Sequence, residues 1–150
     1  MAQTFTNLLT HIIFSTKDRA PNIRRELRPD LHAYLGGIIR NLDGQALLVN
    51  GPADHVHLLA WLPPTLAIAE ALRVLKANSS RWVHQTYPGQ RAFAWQAGFG
   101  AFSVSQSQAP SELKYIRDQE RHHRRKAFQE EFLTFLKRNR IAYDERYIWP

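Results

Sequence analysis

Residues 54–62 of the chain read Asp-His-Val-His-Leu-Leu-Ala-Trp-Leu, and this stretch decides the fold. Polar and apolar side chains alternate at its start, as they do in a β-strand, where successive side chains point to opposite faces of the sheet. His55 and His57 therefore share one face, while Val56 and Leu58 lie on the other, apolar face. The Cα atoms of the two histidines should be about 6.5–7 Å apart. Two imidazoles at that spacing are able to bind one metal ion, although two ordinary strand histidines would show the same pattern.

The segments on either side of this strand predict an element order of β-α-β-β-α-β followed by two helices. The predicted elements are strands at 8–16, 45–50, 55–62 and 99–105, a helix at 30–41, a helix from a Thr65 cap to about Gln85, and helices near 110–123 and 127–139. This order is that of the α+β, ferredoxin-like or split-βαβ fold, with an antiparallel sheet and additional C-terminal helices. Both crossover helices then cover one sheet face, and the other face is left for a C-terminal helix or a strand of nucleic acid. We expect residues 1–150 to form a single domain.

The composition excludes several classes of protein. Hydrophobic residues make up 44% of the 150 residues, too many for a disordered chain. The chain has no cysteine, which excludes disulfides, thiolate nucleophiles and cysteine metal sites, and which fits a cytoplasmic protein. No apolar run approaches the roughly 18 residues of a membrane helix, and residues 1–16 do not resemble a signal peptide, so we expect no membrane association.

The formal net charge of +7 favours a polyanionic partner, above all nucleic acid. A basic protein that is merely soluble would carry the same charge, but here the basic residues are clustered. The clusters lie at residues 17–28, 121–126 and 137–140. Our candidates for phosphate contacts are Lys17, Arg19, Lys76, Arg81 and Arg121.

Three aromatic residues are candidates for stacking on unpaired bases. They are Trp82, Trp95 and Phe99. Trp82 also fits the apolar stripe of the predicted helix that contains it, so a place in the core is favoured for this residue.

A second group of candidate site residues lies on the helix predicted after Pro110. Proline suits the first turn of a helix, and Tyr115 and Gln119 share one helix face because they are four residues apart. The phenol is a candidate nucleophile, and the amide oxygen is a candidate ligand for the same metal ion. A half-buried aromatic next to a solvated amide is the ordinary interpretation of such a pair.

The residues around both groups resemble a known family. Asp54-His-Val-His-Leu-Leu59 resembles the histidine-hydrophobe-histidine (HUH) motif. The stretch from Tyr115 through Gln119 to His123 resembles the tyrosine helix of the single-tyrosine HUH transposases. These belong to the smallest bacterial insertion sequences and to relatives associated with repeated extragenic palindromes. Further matching stretches are 11–19, 75–82, 95–105 and 143–149.

The resemblance implies an enzyme that cuts and rejoins DNA. Tyr115 would attack the scissile phosphate, leaving a 5′-phosphotyrosine and a free 3′-hydroxyl, and His55, His57 and Gln119 would bind Mg²⁺ or Mn²⁺. The resemblance also implies a homodimer that acts on single-stranded DNA with hairpins. In this family the tyrosine helix of one subunit can complete the histidine site of its partner, and the polar stretch 103–110 could act as the hinge for that exchange.

Three alternatives stay open. The same core is also a platform for RNA recognition, so the chain could bind nucleic acid without cutting it. It could be a metal hydrolase that uses water as the nucleophile, with Tyr115 merely structural. It could also be a domesticated relative of the transposases that acts on palindromes in its host chromosome.

Overall fold

The helices and strands of the protein follow the predicted order. The computed structural model describes residues 3–119 and 127–149. Its elements are β1 (Leu9–Ser15), α1 (Arg28–Asn41), β2 (Gln45–Asn50), β3 (His55–Trp61), α2 (Ile68–Thr86), β4 (Gly100–Ser103), α3 (Ala109–Arg117), α4 (Phe128–Arg138) and α5 (Glu145–Ile148). None of the described helices is long and apolar enough to cross a membrane.

The strands form one antiparallel sheet in the spatial order β2-β3-β1-β4. This is the strand order of the ferredoxin-like fold, so the predicted α+β, split-βαβ class is confirmed. β1 and β3 lie in the middle of the sheet, and their register sets Ile13 opposite His57 and Ser15 opposite His55. The two histidines therefore lie on a central strand, next to the strand that begins the fold.

One face of the sheet packs against α1 and α2. The buried residues at this interface include Ile12, Phe14, Leu31, Leu35, Val56, Leu58, Leu72 and Leu75. Each fully buried side chain of this size contributes about 1.5–3 kcal/mol, because its apolar surface is removed from water. This layer is the main hydrophobic core, and it uses the side of β3 that does not carry the histidines.

The opposite face, which carries His55 and His57, is covered by α3 and α4. Two smaller apolar clusters hold these helices on the sheet: Ile13, Phe102, Phe128, Phe135 and Leu136 form one, and Leu9, Leu59, Ala109 and Ile116 form the other. The sequence left two occupants open for this face, and helices of the chain itself cover it. The histidines are consequently enclosed between a sheet and two helices.

The predicted N-cap of the second helix is wrong. α2 begins at Ile68, and its N-cap is Ala67, which offers no side-chain hydrogen bond. Thr65 lies instead in a turn closed by the Leu66 N–H, which donates to the carbonyl of Pro63 at 3.2 Å. The chain leaves β3 through this proline turn before it becomes helical, so the helix begins later than the predicted cap.

Two further boundaries differ. β4 spans Gly100–Ser103, which is shorter than the predicted strand at 99–105. α3 ends at Arg117 with Asp118 as its C-cap, so Gln119 follows the end of this helix instead of lying within it. The predicted helical residues 120–123 lie outside the described residues.

Candidate metal and tyrosine site

The structure places the rings of His55 and His57 on the same face of β3. Both side chains are fully buried, with 0% of their surface exposed. Their ring centroids are 5.1 Å apart. The alternation of the strand therefore brings two imidazoles together in an environment that excludes bulk water.

A carboxylate that the sequence analysis missed completes this pair. Glu131 Oε1, on α4, lies 3.2 Å from His55 Nε2 and 2.9 Å from His57 Nε2. One ligand atom from each of the three residues lies within 4.8 Å of the others. The three side chains thus have the composition and the spacing of a divalent-metal site, with two nitrogens and one oxygen.

One signal in the sequence points to Glu131. Phe128 and Phe135 lie three residues before it and four residues after it, so all three share one stripe of the amphipathic α4. Glu131 is only 2% exposed. A charged side chain on the buried stripe of a helix is rare unless it is paired, so the position itself indicates a partner on the sheet.

Tyr115 lies against the same carboxylate. Its hydroxyl donates a short hydrogen bond to Glu131 Oε2, and its ring centroid is 5.8 Å from that of His57. Burial raises the pKa of the Tyr115 phenol, and the negative charge of Glu131 raises it further, while a hydrogen bond from the Gln119 side chain opposes the shift. The candidate nucleophile is therefore held as a neutral phenol within reach of a base.

Gln119 lies next to Tyr115, as the four-residue spacing predicted. Its Nε2 donates to the backbone carbonyl of Tyr115 at 3.2 Å, and the side chain is fully buried. The structure thus joins Tyr115 and Gln119 in one wall of the site. Among the described residues, Glu131 is the side chain that joins His55 and His57 in a group of possible metal ligands.

Burial and the neighbouring carboxylates shift the pKa values of the two histidines in opposite directions. Burial lowers the pKa of His57 to about 3, so this ring is neutral, as a metal ligand must be. Burial also disfavours the charged form of His55, but hydrogen bonds to the carboxylates of Asp54 and Glu131 outweigh it and raise the pKa. His55 Nδ1 lies 2.7 Å from Asp54 Oδ1, which orients Nε2 toward the centre of the site.

The residues predicted to contact phosphates lie in different parts of the fold. Lys17 and Arg19 lie in a turn that begins directly after Thr16, whose N–H donates to the carbonyl of Asp54 at 2.8 Å, so both are at the His55 end of the site. Arg81 is exposed on α2, and it donates to Asn78 Oδ1 at 2.6 Å. Arg121 lies outside the described residues.

The side chain of Lys76 contacts backbone carbonyls and aromatic rings of the protein itself. Its Nζ donates to the carbonyl of Gln96 at 2.9 Å and to that of Gly98. It also lies 5.5 Å and 5.8 Å from the ring centroids of Phe14 and Phe99. Burial lowers its pKa to about 8. These contacts connect Lys76 to the loop before β4.

The three aromatic residues predicted to stack on bases differ in how far they are buried. Trp95 is 9% exposed and donates to Ser79 Oγ at 2.9 Å, so the stacking role proposed for it is wrong: it is part of the core. Trp82 is half-buried, and its ring stacks on Tyr34 with 4.7 Å between centroids, which agrees with the favoured core position. Phe99 remains 37% exposed and is available for a base.

The fold and the site together define a class of protein. It is a ferredoxin-like domain that carries two histidines and a carboxylate in metal-binding proximity, next to a half-buried tyrosine whose hydroxyl donates to that carboxylate. The chain belongs to the IS200-like transposase family, because the sequence profile of that family matches residues 4–119.

Individual relatives agree with this assignment. The transposase for insertion sequence element IS200 of Salmonella typhimurium strain LT2 is 28% identical over 91 residues, which are 58% of this chain and 57% of the relative. The corresponding protein of Salmonella typhi matches equally. The chain thus spans little more than half the length of the curated relatives it matches.

Two solved structures share the fold. A transposase candidate from Deinococcus radiodurans R1 superposes with a TM-score of 0.66 at 22% identity, covering 79% of this chain and 95% of that one. A REP-associated tyrosine transposase bound to a REP hairpin superposes with a TM-score of 0.60 at 13% identity, covering 82% of this chain and 73% of that one. At these identities the likeness establishes the fold.

Proposed function

We propose that this protein cuts single-stranded DNA and rejoins it at a new junction, as a transposase with Tyr115 as its nucleophile. The observation that carries the proposal is the position of the Tyr115 hydroxyl on the carboxylate that also contacts His55 and His57. Membership of the IS200-like transposase family supports the reaction class.

The proposed substrate is single-stranded DNA that carries hairpins. The net charge of +7 supports a polyanionic substrate. The structural relative with a REP hairpin bound supports a hairpin. Lys17 and Arg19 follow Thr16, whose N–H donates to the carbonyl of Asp54 beside His55, and we propose them as phosphate contacts with Arg81, Lys76 and Arg121. We also propose that the protein acts as a homodimer.

The residues present fit a divalent ion, Mg²⁺ or Mn²⁺. His55, His57 and Glu131 would hold it, because their ligand atoms already lie within 4.8 Å of one another and His57 is neutral. We keep Gln119 as a proposed further ligand from the adjacent wall. When bound, the ion stabilises negative charge on the phosphoryl oxygens during cleavage.

The chain's own residues supply the nucleophile and a base. The Tyr115 proton passes to Glu131 Oε2, which already accepts its hydrogen bond. The phenolate oxygen bonds to phosphorus as the bond to the 3′ oxygen breaks, and that oxygen takes up a proton and becomes a free 3′-hydroxyl. The phosphotyrosine conserves the energy of the broken ester, so a 3′-hydroxyl from another end can reverse the step and release Tyr115.

Access to the site requires movement. His55, His57 and Gln119 have no exposed surface, and Glu131 is 2% exposed. Tyr115 is only half-buried, so a phosphate approaches from its side. α3 or α4 has to shift away from the sheet before a phosphate can contact the histidines.

The decisive experiment tests for the covalent intermediate with Tyr115→Phe. Hairpin-bearing single-stranded oligonucleotides labelled at either end are incubated with Mn²⁺ and resolved on a denaturing gel. The wild-type protein should give an adduct that survives denaturation, and Tyr115→Phe should give none while it still binds hairpins, because only the hydroxyl is lost. Tyr143→Phe, at a half-buried tyrosine packed against the Phe128–Phe135 cluster, is the matched control and should retain cleavage.

Each outcome of this experiment separates the alternatives. Cleavage by Tyr115→Phe at a substantial rate would show that water or another residue is the nucleophile. Hairpin binding with neither an adduct nor cleavage, in the wild-type protein with Mn²⁺ present, would show a binding module. Full cleavage in excess chelator would exclude the metal.

A further inference from the structure

A chain of polar contacts lies behind His57, on the side away from Glu131. His57 Nδ1 is 2.7 Å from His11 Nε2. His11 Nδ1 is in turn 2.9 Å from Glu112 Oε2. Glu112 Oε1 accepts a hydrogen bond from Arg138 Nη2 at 2.9 Å. The contacts run from β3 through β1 and α3 to α4, so they connect the elements that surround the site.

The inner part of this chain is buried. His11 is 1% exposed and Glu112 is 5% exposed. Burying a carboxylate and an imidazole among aromatic and aliphatic side chains is costly unless each is hydrogen-bonded. The ordinary reason for such a cluster is structural, because His11 also packs edge-on against Phe135 with 4.9 Å between ring centroids. The order of the contacts, from a proposed ligand histidine through a second imidazole to a carboxylate, favours a second reason.

The contacts allow one consistent arrangement of protons when His57 is a metal ligand. His57 Nε2 faces Glu131, so it is the nitrogen that must be free of a proton, and Nδ1 then carries the proton and donates to His11 Nε2. His11 consequently carries its own proton on Nδ1, the nitrogen that lies 2.9 Å from Glu112 Oε2. His57 and His11 are in hydrogen-bond contact, His11 and Glu112 are in close polar contact, and the chain ends on a carboxylate that accepts a hydrogen bond from Arg138.

The two proposed ligand histidines are thus oriented by the same principle. Asp54 binds His55 Nδ1 directly, whereas Glu112 acts on His57 through the interposed ring of His11. Carboxylates behind ligand histidines set the tautomer and orientation of the ring. Glu112 also lies on α3, three residues before Tyr115, so this contact couples the helix of the nucleophile to the ring of a metal ligand.

We propose that His11 and Glu112 are positioning residues that hold His57 with Nε2 directed at the metal site. The inference rests on the proposed function, because it assumes that His57 is a ligand. It adds a role for β1 and for the first half of α3. It also gives Arg138 a function inside the fold, as the hydrogen-bond donor to Glu112.

The test is a titration of the full-length protein with Mn²⁺ in the absence of DNA. Electron paramagnetic resonance of the free ion measures how much Mn²⁺ is bound. His11→Ala should weaken Mn²⁺ binding about 10- to 100-fold. His11→Gln should recover much of that loss, because its amide oxygen can accept from His57 Nδ1. Phe135→Leu is the control for packing, since it disturbs the ring against His11 without removing a hydrogen bond, and it should bind Mn²⁺ as the wild type does.

A second readout follows the tautomer itself. In ¹⁵N-histidine spectra of the Mg²⁺-loaded protein, wild-type His57 should carry its proton on Nδ1, and His11→Ala should lose that preference. Glu112→Gln keeps the shape of the side chain and should show a smaller change in the same direction. If His11→Ala does not fold, the tautomer of His57 is measured in Glu112→Gln instead.

The outcomes distinguish this inference from the proposed function. Failure of the wild-type protein to bind Mn²⁺ would overturn the metal site and everything built on it. Tight Mn²⁺ binding by the wild type, together with equal binding and an unchanged tautomer in His11→Ala or Glu112→Gln, would overturn the positioning role alone. Equal losses in His11→Gln, His11→Ala and Phe135→Leu would show that these residues are only packing.

Discussion

Glu131 is the residue on which the candidate site depends. Its two carboxylate oxygens have different neighbours: Oε1 contacts the two histidines and Oε2 accepts the Tyr115 hydroxyl. A buried carboxylate can be retained only when such partners offset its loss of hydration. The same side chain is therefore able to hold a metal with one oxygen and take a proton with the other.

Glu131→Gln should reduce metal-dependent cleavage by more than about 100-fold, because the carboxylate is both a charged ligand and the base. Gln119→Ala should cost less, since water can replace a neutral amide ligand. The measurement is single-turnover cleavage of a labelled hairpin over a range of Mn²⁺ concentrations. Glu130→Gln, at the exposed neighbouring position of α4, should change nothing.

A larger loss in Gln119→Ala than in Glu131→Gln would assign the third ligand to Gln119 instead. Equal activity of Glu131→Gln and Glu130→Gln would remove Glu131 from the site.

The pKa of a second residue, His32, predicts how the free energy of unfolding changes as the pH falls. His32 on α1 is half-buried, and burial together with Arg28 lowers its pKa to about 4. Its folded pKa is below the unfolded value of about 6.5. Between those two values the unfolded chain binds more protons than the folded one, so stability is lost as the pH falls from about 6.5 to about 4.

His32→Gln should remove this part of the acid sensitivity. Urea unfolding at pH 7, 5.5 and 4.5 should show a difference between wild type and variant that changes by about 1–2 kcal/mol across the series. That is less than the roughly 3 kcal/mol of the full shift, because the ring keeps some contact with solvent. A difference that stays constant over this range would show that His32 titrates normally in the folded protein.

Among the elements, α3 and α4 decide whether the site exists. The Asn50 side chain, at the end of β2, donates to the carbonyls of Ile116 and Arg117 at 2.9 Å and 3.2 Å, which satisfies the C-terminal end of α3. Aromatic residues of α4 pack on Ile13 and Phe102 of the sheet. A substitution in the sheet surface below α4 should therefore disturb the packing of α4 and, with it, the position of Glu131.

Gly100 provides such a change. A Cβ at this position would lie 2.8 Å from a ring carbon of Phe132 and 2.9 Å from a methyl group of Ile13, so Gly100→Ala requires a shift in the packing between α4 and the sheet. We expect a loss of about 1–3 kcal/mol in the free energy of unfolding. The matched control is Gly89→Ala, where nothing lies within 4 Å of the added atom. It should be neutral or slightly stabilising.

Urea denaturation of both variants measures these effects. Equal stability of Gly100→Ala and Gly89→Ala would mean that α4 does not pack on the sheet as the structure describes.

For the molecule as a whole, the main question is whether one chain holds a complete site. The sequence predicted that the tyrosine helix could be exchanged between the subunits of a dimer. In the structure of a single chain, Tyr115 contacts Glu131 of the same chain, and Asn50 ties the end of α3 to its own sheet. In this arrangement Tyr115 and Glu131 meet without a residue from a partner subunit.

A mixture of two inactive proteins, Tyr115→Phe and His57→Ala, should therefore remain inactive. If helices were exchanged, a mixed dimer would unite the intact histidines of the first protein with the intact tyrosine of the second and regain part of the cleavage. Differently tagged proteins and a pull-down measure whether mixed dimers form. Recovered cleavage would establish the exchanged arrangement and leave the Tyr115 chemistry unchanged.

The sequence by itself determined the features that depend on local periodicity and on the order of elements. The two-residue repeat of a strand set His55 and His57 on one face, and the β-α-β-β-α-β order determined the ferredoxin-like sheet. The four-residue spacing of Tyr115 and Gln119 brought these two side chains together. Each of these conclusions needs only neighbouring residues or the succession of segments along the chain.

The tertiary structure alone decided which distant side chains complete the site. Glu131 is 74 residues from His57 in the chain, and His11 is 46 residues from it. The core position of Trp95 and the carbonyl contacts of Lys76 were likewise decided by packing. The physical reason is that these partnerships depend on the register between strands and on how a helix is rotated over the sheet. Neither the periodicity of a segment nor its composition specifies that rotation.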